Sequence, residues 1–147
     1  MGKAYRVTSI VKIVNWLSRT MVRLDIGPKS RHLLTVQGRK TGRPHTTPVT
    51  LVEHNHRRFL VAPYGEVNWV RNARVSHRVT LQRGSEVHQV GISELPLPDR
   101  PPILQEYLRL EPITQPYFEA RPDSPLEEFA AEAQRHPVFL MEEPLSV

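Results

Sequence analysis

Between residues 35 and 49 the chain reads TVQGRKTGRPHTTPV, which sets Arg39, Lys40, Arg43 and His45 around Gly38 and Gly42. A connection between strands needs only a glycine and a polar residue or two, so these basic groups are surplus to the turn. Crowded cations repel one another unless an anion sits among them. The glycines permit positive φ and let a ligand approach the backbone closely, and successive N–H groups in such a turn form an anion-binding nest. Arg39 and Arg43 offer bidentate charge-assisted bonds, and Lys40 a mobile point charge. At about 1.5–3 kcal/mol per charge-assisted bond, a few such contacts would hold a phosphate or a carboxylate. The order is not that of a P-loop, because G-x-x-x-x-G-K-[ST] is absent and the turn leads into a strand. On this chemistry two readings stay open, an anion site and a solvated basic hairpin.

Elsewhere the reactive side chains are sparse. The 147 residues include no cysteine, which excludes disulfides and thiolate chemistry. His54 and His56, two apart on a strand, share one face but lack a third ligand, so no metal site is expected. The net charge of +5 conceals a gradient, from +9 over residues 1–45 through +3 over 46–93 to −7 over 94–147. A basic front half implies an anionic partner: nucleic acid, a membrane surface or a phosphorylated small molecule. Nucleic acid is the weakest of these, since residues 32–50 contain no Phe, Tyr or Trp on which a base could stack.

The elements that must position the basic turn follow from hydrophobic periodicity. In residues 1–24, Val7, Ile10, Val11, Val14, Leu17 and Met21 recur at helical spacing among Lys3, Arg6, Lys12, Arg19 and Arg23. This basic amphipathic helix, with Trp16 as a packing residue, either covers one end of the core or lies on an anionic membrane. Its apolar run has no cleavage site and is interrupted by charge, so a cytoplasmic protein is expected. Peripheral contact with the inner face of the plasma membrane is left open.

Residues 32–37, 46–54 and 58–63 read as strands, the last two joined across His54-Asn55-His56-Arg57. Residues 64–77 read as a loop and short helix, and 78–95 as two strands around Gly84-Ser85. Pro101 and Pro102 suit a helix start, where a missing N–H costs little. A further helix is expected over 124–135, its EEFAAEAQ stretch a solvated face, and a closing strand over 137–143. The expectation is one domain over 1–147, α+β but mainly β. About six mostly antiparallel strands would close into a small barrel, with an N-terminal helix and C-terminal helices.

Gly38-Arg39-Lys40-Thr41-Gly42-Arg43-Pro44, followed by Thr47-Pro48, resembles the signature of the deazaflavin-dependent nitroreductase family. Residues 60–82, LVAPYGEVNWVRNARVSHRVTLQ, resemble the same family's strand, small-residue loop, W-x-x-N helix and following strand, and HPVFLMEE its closing strand. The resemblance implies a split β-barrel of the flavin-reductase-like, FMN-binding-like kind. It also implies hydride transfer from reduced coenzyme F-420 to a small organic acceptor, a quinone, enone or nitroaromatic.

By the same resemblance, Arg39, Lys40, Thr41, Gly42, Arg43 and Pro44 hold the coenzyme's phosphate and acidic tail. Pro48 and Thr50 lie against the deazaflavin ring, and Ala62, Pro63, Tyr64 and Gly65 run along its polar edge. Trp69 and Asn72 stand near it, and Tyr64 is the candidate proton donor, with solvent as the alternative. Two positions depart from the pattern. The ring loop reads Pro63-Tyr64-Gly65-Glu66 where many relatives carry a serine and a second glycine, and Thr50 replaces an aromatic residue common among them. A homodimer is left open. So is a non-catalytic barrel that carries this coenzyme or a related flavin or tetrapyrrole.

Overall fold

Runs of β-branched and apolar residues form six strands among residues 30–143, the part of the chain that the computed structural model describes. They are β1 (Arg31–Gln37), β2 (Pro44–His54), β3 (Arg57–Val61), β4 (Arg78–Arg83), β5 (Glu86–Glu94) and β6 (Val138–Glu142). The helix expected over residues 1–24 lies outside the described residues. The strands close into a barrel in the order β1-β2-β3-β6-β5-β4, with every neighbouring pair antiparallel. Closure runs through β1 and β4, where Leu33, Leu34 and Thr35 face Gln82, Leu81 and Thr80. The fold is therefore a split β-barrel, as expected.

Two strand boundaries differ from the expectation by two residues, the others by one at most. β2 starts at Pro44 instead of residue 46, because Gln37 and Val36 continue the β1 ladder to Pro44 and His45. β3 stops at Val61 instead of residue 63: Ala62 donates its N–H to the Pro137 carbonyl at 2.8 Å, and Pro63 has no N–H to extend a ladder. Asn55 and His56 form the tip of the β2–β3 hairpin with φ of 52° and 64°. This two-residue left-handed turn matches the twist of the flanking strands. Because His56 sits in that turn, it does not share a strand face with His54, and no metal-ligating cluster occurs among the described residues.

Period-two alternation builds two cores. Leu34, Leu51, Leu60, Leu81, Ile92 and Phe139 point into the barrel. Val52, Phe59, Val61 and Val138, their strand neighbours, point outward. That outer layer is covered by α2 (Pro101–Leu110) and α3 (Leu126–Glu132), through Ile103, Leu104, Leu108 and Phe129. Each such side chain, fully buried, contributes about 1.5–3 kcal/mol. A further α-helix among the described residues, α1 (Asn68–Ser76), lies against the barrel through Val70 and Ala73. Among the described residues no helix is long and apolar enough to cross a membrane.

The barrel is incomplete along one edge. β2 pairs with β1 from Pro44 to Thr50, but with β3 only from Leu51 to His54. Among the described residues, 44–50 thus have a strand partner on one side alone. Pro48 falls in this stretch, where its missing N–H leaves no gap in a ladder.

Outside the barrel, Arg74 clamps two elements together. It bonds both carboxylate oxygens of Glu94 at 2.8 Å and also pairs with Glu66, while Arg100 reaches Glu94 at 3.1 Å. The bonds from Arg74 hold the Glu94 pKa below its ordinary value. A carboxylate whose folded pKa is depressed adds stability above its unfolded pKa, and that contribution is lost as the pH falls through the folded value. Glu94→Gln should therefore cost about 1 kcal/mol at pH 7, allowing for solvent screening. Urea titrations of the two proteins should converge below about pH 4. A gap that persists at low pH would mean that packing, not charge, holds Glu94.

Candidate functional site

The basic turn is shaped before any ligand arrives. Gly38 donates its N–H to the Arg43 carbonyl at 2.8 Å, and Gly42 to the Gly38 carbonyl at 2.9 Å. A Cβ on Gly38 would lie 3.0 Å from the Arg43 carbonyl oxygen and from His45 Nε2, so a larger residue there would force the turn or the imidazole to shift. Gly42 adopts φ +75°, which a β-carbon disfavours. One side chain anchors the turn to the rest of the fold. Asn72, buried on α1, accepts hydrogen bonds through Oδ1 from the Arg39 backbone N–H at 3.1 Å and from Arg39 Nη1 at 2.8 Å. Arg39 is thereby held in place. Lys40 and Arg43 are exposed and have no acidic partner among the described residues.

These residues form one end of a cavity of about 690 Å³, within the usual range for a small-molecule site. Its wall is the open edge of β2, from His45 to Thr50, facing the loop after β3 and the start of α1. Of the residues singled out in the sequence, Arg39, Lys40, Thr41, Arg43, Pro48, Thr50, Pro63, Tyr64, Trp69 and Asn72 line it. Gly42, Pro44, Ala62 and Gly65 do not. Gly42 and Gly65 supply positive-φ bends instead, Gly65 at φ +90°, while Pro44 starts β2 and Ala62 is buried beside the ladder. Trp69 has two contacts, lining the cavity and packing on Phe139 with ring centroids 5.7 Å apart.

The far end of the cavity holds groups that sequence reasoning missed. Arg31 donates to Glu111 through Nε at 3.1 Å and Nη2 at 3.0 Å, and Thr50 donates to Glu111 Oε1 at 2.6 Å. Tyr107, Thr114 and Ile113 complete that end. Thr50 thus faces the cavity, but its hydroxyl hydrogen is committed to a carboxylate brought in from the end of α2.

The loop carrying Pro63 and Tyr64 is held from behind. The Pro63 carbonyl lies 2.9 Å from His136 Nδ1, and His136 Nε2 lies 2.7 Å from Glu132 Oε1. Glu132 in turn accepts the backbone N–H groups of Glu119, at 3.0 Å, and Ala120, at 2.7 Å. His136 stacks on Phe118, with 4.1 Å between ring centroids. A carbonyl can only accept, so Nδ1 carries a hydrogen, and one further proton lies between Nε2 and Oε1. Burial pushes the His136 pKa down, and Glu132 and the Pro63 carbonyl pull it back up. The acidic helix read as a solvated face is therefore solvated only in part: Glu127 and Glu128 are exposed, but Glu132 is 1% exposed. Tyr64, at the cavity mouth, is 38% exposed and meets Tyr117 edge-on at 4.7 Å.

Residues 11–120 match the model of the F420H(2)-dependent quinone reductase family. The chain belongs to that family. It is an F420H2-dependent oxidoreductase, with reduced coenzyme F420 as its hydride donor. Solved structures resemble this reductase in fold at low sequence identity. An F420-H2 dependent reductase, FDR-A, is 22% identical with a TM-score of 0.53, covering 78% of this chain and 95% of its own. A structure described as a domain-swapped dimer is 21% identical with a TM-score of 0.56, covering 91% and 100%. A NimC/NimA family protein from Clostridium acetobutylicum is 10% identical with a TM-score of 0.51, covering 77% and 73%. No curated protein matches the reductase in sequence.

Proposed function

We propose that this reductase holds the coenzyme in the cavity beside the open edge of β2 and reduces a neutral quinone there. The observation that carries the reading is a pair of cations without an acidic partner among the described residues, Lys40 and Arg43, at one end of a cavity lined elsewhere by Pro48, Val49, Val61 and Val67. The residues present fit the coenzyme's chemistry. Lys40, Arg43 and the turn's backbone would take the anionic tail, with Arg39, Thr41, Gly42 and Pro44 fixing the turn's shape. Pro48, Thr50, Pro63, Tyr64 and Trp69 would bound the ring, and Asn72 acts by tethering Arg39. When bound, reduced coenzyme F420 supplies a hydride, so the protein needs no nucleophile of its own.

What the side chains do is exclude water, orient and deliver a proton. The valines and Pro48 give the cavity an apolar wall suited to a flat, uncharged acceptor. We assign the proton to Tyr64, because it lines the cavity and the residue is partly exposed, which supports reloading from solvent. The basic apolar pattern of residues 1–24 supports collection of the quinone from an anionic membrane surface.

Steady-state oxidation of reduced coenzyme tests this. Turnover should be at least about tenfold faster with a naphthoquinone than with a nitroaromatic of equal size, and anionic vesicles carrying the quinone should raise it. Tyr64→Phe should lower kcat by roughly 100-fold, the low end for a positioned general acid. Turnover with the nitroaromatic alone would overturn the quinone assignment, and an unchanged kcat in Tyr64→Phe would give the proton to solvent.

A further inference from the structure

Tyr107 on α2 is 6% exposed and lines the far end of the cavity. Its hydroxyl makes no hydrogen bond among the described residues. Buried polar atoms are paired in about nine cases of ten, so an orphaned buried hydroxyl facing a cavity points to a partner that arrives with a ligand. Tyr107 shares that lining with other polar groups. Tyr64, Glu111 and Arg31, which act on its ionisation, all line the same cavity. Burial, reinforced by Tyr64 and Glu111, pushes the Tyr107 pKa well above the ordinary value. At neutral pH the group is an O–H donor.

The neighbouring polar groups are already engaged. Arg31 spends Nε and Nη2 on Glu111, and Thr50 spends its only hydrogen on the same carboxylate. Within this cluster Tyr107 keeps a hydrogen to give, while Glu111 places negative charge beside it. A carbonyl oxygen can accept from Tyr107. An acceptor with a carboxylate at the same place meets the charge of Glu111, and the Arg31 charge beside it is already balanced by that carboxylate.

We infer that the Tyr107 hydroxyl donates a hydrogen bond to the carbonyl oxygen of a neutral acceptor, and that the Arg31–Glu111–Thr50 cluster beside it excludes acidic acceptors. This rests on the reading that the acceptor enters this cavity. It makes Tyr107 a substrate-binding residue distinct from Tyr64, which stands at the mouth.

The test compares wild type with Tyr107→Phe, reading binding through quenching of tryptophan fluorescence, since Trp69 lines the cavity. The probes are a naphthoquinone, the matching naphthalene without carbonyls, and a naphthoquinone carboxylate, each with and without oxidised coenzyme. The variant should lose about tenfold in naphthoquinone affinity, the value of one hydrogen bond to a ligand. Its affinity for naphthalene should not change, and its Tm should hold or rise, because the hydroxyl has no protein partner to lose. In turnover the loss should fall mainly on KM. The wild type should bind the carboxylate at least tenfold more weakly than the parent quinone, and Glu111→Gln should narrow that gap.

Unchanged quinone affinity in folded Tyr107→Phe, a clear fall in its Tm, or no quinone binding by wild type would each overturn the inference. A carboxylate bound as tightly as the quinone would remove the exclusion. Wild type that binds the quinone but not the coenzyme would instead remove the functional reading and leave Tyr107 standing.

Discussion

Glu132→Ala should destabilise the folded protein by about 3–5 kcal/mol, the cost of breaking one side of a buried charged pair. Glu132 and His136 are 1% and 2% exposed, so neither can turn to water when its partner is lost. Removing the carboxylate orphans His136 Nε2 and the N–H groups of Glu119 and Ala120 in one step. Glu132→Gln separates charge from hydrogen bonding. Its amide oxygen can accept from Glu119 and Ala120, and its amide nitrogen can donate to Nε2 of a neutral His136, leaving Nδ1–H on the Pro63 carbonyl. The glutamine variant should therefore lose only about 1–2 kcal/mol. Urea denaturation of both variants checks this. Alanine tolerated within about 1 kcal/mol would show that Phe118 stacking and apolar packing suffice to hold the loop of Pro63 and Tyr64.

Replacing Lys40 and Arg43 together by alanine should weaken coenzyme binding by about 2–4 kcal/mol, taking two charge-assisted contacts of roughly 1–2 kcal/mol each after competition with solvent. That corresponds to about 30- to 1000-fold in Kd. The turn itself should survive, because its shape comes from the Gly38–Arg43 bond, the Gly42 bend and the Asn72 tether, none of which uses these side chains. Relief of like-charge repulsion should leave the Tm of the ligand-free protein unchanged or higher. Isothermal titration beside thermal melts separates the two effects. A variant that unfolds while its folded fraction binds normally would make the turn structural.

The barrel was legible in the sequence because strands declare themselves locally. Runs such as HLLTVQ and RFLVAP bury alternate residues on two sides of one sheet, and short turn residues mark their ends. The basic turn was legible for the same reason, its glycines and cations lying within seven consecutive residues. What could not be read is set by distant chain segments. Arg31 and Glu111 are 80 residues apart, and Thr50 reaches Glu111 across 61. No local pattern links them, and Thr50 read as a residue against the ring where relatives carry an aromatic, with nothing to pair it with Glu111.

Glu132 and His136 stand at i, i+4 spacing, which was visible, but the segment looked like an acidic solvated helix. Only the chain reversal that brings Phe118 and the Ala120 N–H against them shows that they are buried. Asn72 was singled out from its motif and lines the cavity, yet its task of holding Arg39 appears only once α1 packs beside the turn. Gly42 and Gly65 belong to the motifs without facing the cavity, since a residue can be required for the backbone path alone.

The claim that the basic turn exists for an anionic cofactor is tested most directly by titrating the wild-type protein with oxidised coenzyme F420 and with flavin mononucleotide, at low and at high salt. The turn offers exposed cations to the longer, multiply charged tail, so F420 should bind the more tightly. Its affinity should fall as salt shortens the Debye length from about 10 Å at 0.1 M to about 3 Å at 1 M. Equal affinity for the two cofactors at low salt, or F420 binding that ignores salt, would contradict the account.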